Sequence, residues 1–170
     1  MSDNLALAAI VFVSALLQVT LVASLDVAGG AADVLLLALL SIALLRGAVT
    51  GAVAGFFGGL IVDIVTLDTL GVTALLYALA GYWTGRYGET TGRDRAHAPL
   101  LSIAVITVLY QISALVLRYM LGEPAPAHHI LAALAPTVLL NLVLTVPVYA
   151  LTRRLLRPRE WVAREVRLLG

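Results

Sequence analysis

The chain has 170 residues, 61% of them hydrophobic and 12% charged, with a mean hydropathy of +1.01. So apolar a composition excludes a soluble domain of this size and indicates one integral membrane domain. The absence of cysteine excludes disulfides, thiolate metal sites and cysteine nucleophiles, while a net charge of +1 is uninformative as a total.

Residues 5–25 form a first apolar run of the length a bilayer requires. Asp3 precedes it where a signal peptide would carry positive charge, so it reads as a retained helix. Its one strongly polar residue, Gln18, suits an interhelical hydrogen bond. A turn over 26–33 ends at Asp33, placed to cap the leucine run that follows, 34–46. That second span is short for a full crossing, and Arg46 and Gly47 close it.

The third span, Arg46–Asp63, is crowded with glycine. On a helix, Gly47, Ala48, Gly51, Ala52, Ala54, Gly55, Gly58 and Gly59 share one face about 160° wide. Val49, Val53, Phe56, Phe57, Leu60 and Ile61 cover the opposite face. A glycine face costs helix stability in water, but in lipid it lets another helix approach closely. The smooth side therefore reads as a packing seam and the bulky side as facing lipid or a looser neighbour. Asp63 sits near the edge of the smooth face at the helix end, ahead of a tight turn over 66–71.

A fourth span over 72–87 ends with Tyr82 and Trp83 as an interfacial anchor, and a polar loop over 88–97 follows. The fifth span covers 98–120. A proline-broken loop over 121–129 leads to the sixth, 130–152, in which Pro147 predicts a bend. After Pro158, Trp161, Val162, Val166, Leu168 and Leu169 share one side of a helical tail. That tail reads either as lying on the cytoplasmic leaflet or as docking to a filament partner. The expected division is a transmembrane domain over 1–152 and a tail over 153–170.

Six spans place Arg46, Arg86, Arg93, Arg95 and the six tail arginines on one side, leaving only Arg118 opposite. The opposite side collects Asp26, Asp33, Asp63, Asp68 and Glu123. By the positive-inside rule both termini are cytoplasmic.

No catalytic set emerges. His128 and His129 diverge on a helix and have no carboxylate at ligand spacing, so no metal site is expected. The serines lack a histidine partner on a facing span, and the glycines lie inside a helix where no phosphate loop forms. Asp33 and Asp63 are both placed toward the outer face, as a cap and a helix end, with a partner-contact or fold-locking role left open. On these residues alone, a solute carrier and a protein scaffold stay equally open.

One ordered pattern adds to this: Ala32-Asp33-Val34-Leu35-Leu36-Leu37, Arg46-Gly47, Gly51, Gly55-Phe56, Gly59-Leu60, Asp63, Leu70-Gly71 and Gly81-Tyr82. It resembles the rod shape-determining protein MreD family, except that Ala32 stands where that family has proline. The resemblance implies an all-α, polytopic inner-membrane protein of six transmembrane helices, with a bundle like the S-components of energy-coupling-factor transporters. It implies a non-enzymatic subunit, without cofactor or nucleic acid, that works with MreC. Through MreC it would join RodA, the penicillin-binding transpeptidase PBP2 and MreB in lateral peptidoglycan synthesis. Asp33, Gly47, Gly51, Gly55, Gly58, Gly59 and Asp63 are then the candidate packing or partner-binding residues, with the seam either internal or against MreC. The S-component likeness implies the alternative, a vitamin-like solute bound near Gln18, Asp33 and Asp63. The charge split predicts that a fluorescent protein fused to either terminus is active, and that a periplasm-dependent phosphatase fused there is not.

Overall fold

The computed structural model describes residues 3–22, 31–91, 98–122 and 127–156. Within them the chain is all-helical: α1 (Asp3–Val22), α2 (Val34–Arg46), α3 (Ala48–Thr66), α4 (Val72–Thr91), α5 (Ala98–Met120) and α6 (Ala127–Leu155). Three stretches are long and apolar enough to cross a membrane, Ala48–Thr66, Leu100–Met120 and Leu131–Leu155. Asn4–Thr20 and Val34–Arg46 are shorter apolar helices.

α2 is the centre of the bundle. Every residue from Leu35 to Leu45 is buried, and the other five helices all pack on it. Its sequence explains why: leucine, isoleucine and alanine surround the helix on all sides, and a helix apolar all round has no face to offer solvent. Its lone serine, Ser41, turns its hydroxyl back to the carbonyl of Leu37 at 2.7 Å, the usual way to hide a hydroxyl in a helix interior.

α3 and α4 form an antiparallel pair whose backbones touch. A methyl group built on Gly51 would meet the backbone of Gly81. One on Gly55 would meet the Tyr77 carbonyl, and one on Gly59 the backbone of Ala74. From the other side, Gly81 faces Gly51, and Gly85 faces Gly47 and Ala48. Gly58 points elsewhere, toward the methyl groups of Val11 and Leu35. Gly47 lies between α2 and α3 with φ 94°, a conformation that suits glycine. The bulky side of α3 is left outward: Val49 is 74% exposed and Phe57 58%.

Two helix boundaries differ from the sequence reading. α4 does not end at residue 87 but continues to Thr91. Glu89 uses that extra turn to accept the backbone N–H of Ala48 at 2.9 Å, capping α3, whose own N-cap Gly47 has no side chain to do so. Gly88 packs on Leu44 in the same turn. α6 runs unbroken through Pro136 and Pro147 and includes Arg153 and Arg154, with Leu156 buried just beyond. The amphipathic stretch 159–169 lies outside the described residues.

The contacts separate two glycines that look alike in sequence. Gly55→Ala collides with backbone that cannot yield, so it should lower stability by about 1–3 kcal/mol. Gly58→Ala meets only movable side-chain methyls, and the gain in helix propensity of about 0.5–1 kcal/mol offsets the crowding. Thermal unfolding of the two purified variants in detergent should show a clear drop for the first and little change for the second.

Candidate functional site

The beginning of α2 sits deep in the bundle, and several helices converge to satisfy it. Asp33 caps the helix by accepting the Leu36 N–H at 2.8 Å. Its other carboxylate oxygen accepts the hydroxyl of Tyr77 from α4 at 2.8 Å. The Asp33 N–H donates to Asn141 Oδ1 of α6 at 2.9 Å, and Asn141 Nδ2 donates to the Thr107 hydroxyl of α5 at 3.1 Å. From α1, Gln18 accepts the Leu35 N–H and donates to the Ala32 carbonyl, both at 3.4 Å. Tyr77 stacks on Tyr110 of α5, ring centres 5.1 Å apart. Three neighbouring helices thus place a polar side chain on the start of α2, and α5 joins through the Thr107–Asn141 bond.

Depth distinguishes the two aspartates that the sequence reading placed together near one face. Asn141 lies at the midpoint of α6, and Asp33 bonds to it. α2 has 13 residues, about 20 Å at 1.5 Å per residue, against about 30 Å for a hydrocarbon core. Asp33 therefore lies well inside the bundle. Asp63 is the one at the end, and it serves a different helix from the one expected. Its Oδ2 accepts the N–H of Gly71 at 2.8 Å and of Ala74 at 3.3 Å, so it caps α4 across the turn. It is 1% exposed, and its Oδ1 has no partner among the described residues. Between them, Leu67 takes a left-handed conformation, φ 55°, unusual for a bulky residue.

Beside Asp33 opens a cavity of about 290 Å³. Asp33, Tyr77, Asn141 and Thr107 line its floor, and Asp68 and Arg118 stand where it meets the end of the molecule. Those two form an ion pair at 3.1 Å. Gln18 and Asp33 reach this cavity; Asp63 does not line it, and the glycines of α3 face other helices.

Sequence reasoning did not single out Asn141 or Tyr77 as partners of Asp33, Thr107 as the partner of Asn141, or Glu89 as a cap. Asn141 carried a usable signal, since a carboxamide in the middle of an apolar span needs a partner. Gly81 and Gly85, four apart on α4, mirror Gly51 and Gly55 on α3, and their spacing marked the other half of the seam.

A tight helical bundle, with long apolar helices and a central helix capped inside it, defines an α-helical membrane protein. The sequence model of the family described as rod shape-determining protein MreD matches residues 3–159. The chain belongs to that family, a group of membrane proteins that determine rod shape. No curated protein matches it, and no solved structure does.

Asn141→Leu would strand the buried N–H of Asp33 and the Thr107 hydroxyl. A buried group left unpaired costs about 1–3 kcal/mol. Tyr77→Phe removes one bond from a carboxylate that keeps another, at about 1.5–3 kcal/mol, whereas Asn141→Leu strands two groups at once. Detergent melting curves should therefore rank the wild type above Tyr77→Phe, and Tyr77→Phe above Asn141→Leu.

Proposed function

We propose that this protein is a non-enzymatic scaffold of the bacterial cell-elongation complex, embedded in the inner membrane with all six helices and with both termini in the cytoplasm. The family match over residues 3–159 carries the reading. In it, the protein supports lateral peptidoglycan synthesis through direct contact with MreC, with RodA, PBP2 and MreB in the same assembly. The central helix and the cavity beside it suit the S-component-like bundle that the family resemblance implies. The tail from residue 153 would lie against the cytoplasmic leaflet, with its arginines near anionic lipid.

The packing bears on where MreC would bind. The small-residue face of α3 is taken by α4, and Gly58 by α1 and α2. A partner helix is therefore better served by surface left uncovered. On α3 that is Val49, Val53, Phe56 and Phe57, a bulky apolar strip that a membrane-spanning helix could cover. Asp33 and Asp63 in this reading are fold-locking residues, because each secures the start of a helix.

The test is a mild-detergent pull-down of the tagged protein from its native membranes, read by mass spectrometry. Co-enrichment of MreC, with RodA and PBP2, is the expected result. Recovery with a coupling membrane subunit and paired ATPases would overturn the scaffold reading in favour of solute uptake. Val53→Trp on the exposed strip should then weaken recovery of MreC while leaving the melting temperature of the isolated protein unchanged.

A further inference from the structure

The cavity beside Asp33 is larger and more polar than helix packing requires. A single water needs roughly 10–15 Å³ of such space, and this cavity offers about 290 Å³. A scaffold that only packed helices would be more stable with that volume filled by side chains. Much of the wall can instead hydrogen-bond a guest. Thr137, 3% exposed, lines the cavity, and its hydroxyl has no partner among the described residues. Gln111 lines it as well. Apolar cavities stay dry, whereas polar ones of this size hold water or a polar molecule.

The charges decide what sort of molecule. Arg118 and Asp68 pair with each other at the mouth and cancel. Among the described lining residues that leaves the Asp33 carboxylate, on the floor, without an opposite charge. The start of α2 opposes it with about half a positive charge, which does not neutralise a full carboxylate. The interior is thus net negative, and a surrounding of low dielectric strengthens its pull on cations and its rejection of anions. Tyr110, stacked on the buried Tyr77, adds an aromatic side chain to the wall, a group that attracts alkylammonium ions. Among the described residues no three His, Cys, Asp or Glu gather to hold a metal ion. A divalent metal would lack its carboxylates here, whereas an ammonium group needs one carboxylate, hydroxyls and a ring face.

We propose that this cavity is a water-filled binding site for a small organic cation of the ammonium class, entered from the end of the molecule formed by the α3–α4 turn and the end of α5. The site belongs to the chain itself and does not depend on the scaffold reading.

The absence of cysteine makes the test direct. Thr137→Cys and, as a second position, Gln111→Cys are introduced into the full-length protein in lipid nanodiscs. Each is reacted with a trimethylammonium-bearing and with a sulfonate-bearing methanethiosulfonate. Leu70→Cys, at a residue 67% exposed on the same end, serves as the reference for the intrinsic reactivity of the two reagents. Relative to that reference, the cationic reagent should be favoured by about tenfold or more inside the cavity. Asp33→Asn, which can still cap the helix, should abolish the preference. Tetramethylammonium chloride should slow cationic labelling where sodium chloride at equal ionic strength does not. The proposal is overturned by any of three results: a preference no greater than at Leu70→Cys or unchanged by Asp33→Asn, no slowing by tetramethylammonium, or no labelling at either cavity position while Leu70→Cys reacts.

Discussion

The structure depends on one constraint: α2 begins in the interior, where its first N–H groups have no water to bond. An unpaired amide in such surroundings costs several kcal/mol, so each needs a specific partner. Asn141 takes the amide of Asp33, Gln18 that of Leu35, and the Asp33 side chain that of Leu36. Tyr77 and Thr107 then bond the groups doing the capping. A single buried helix start thereby ties together α1, α4, α5 and α6. These bonds act between helices far apart in sequence, so they set the register of the bundle as well as its stability.

The α3–α4 pair solves a different problem by different means. Here backbone lies against backbone, with Gly51 on Gly81 and Gly55 on Tyr77. Removing side chains lets the helices gain dispersion contact along much of their length. The closeness also explains the two carboxylate caps exchanged within the pair. Asp63 at the end of α3 caps the start of α4, and Glu89 near the end of α4 caps the start of α3. Each helix thus supplies the anion that the other's positive end favours. Such a clamp holds the two helices as one unit.

These two devices leave different surfaces free. The clamp uses up the smooth face of α3, so its outward side is the bulky one. The capping network uses up the polar residues on the floor but leaves a cavity above them. A family defined by rod shape is naturally read through its outer surfaces. The cavity adds an interior feature that helix packing alone does not explain, and the charge of its lining is open to direct measurement.

Much of the design was legible in the sequence because membrane helices are written in local patterns. Apolar runs gave the helices, the smooth and bulky sides of Arg46–Asp63 gave the buried and exposed faces of α3, and Asp33 before a leucine run gave a cap. These features depend on periodicity and on neighbours within one turn. Only the tertiary structure decided which helix fills the glycine face, that α2 is the buried centre, and that Asp63 caps α4. Only it could bring Gln18, Asp33, Tyr77, Thr107 and Asn141 to one point. The physical reason is that a hydrogen bond or a backbone contact between helices depends on their separation, depth and rotation, and none of these is encoded within a single span.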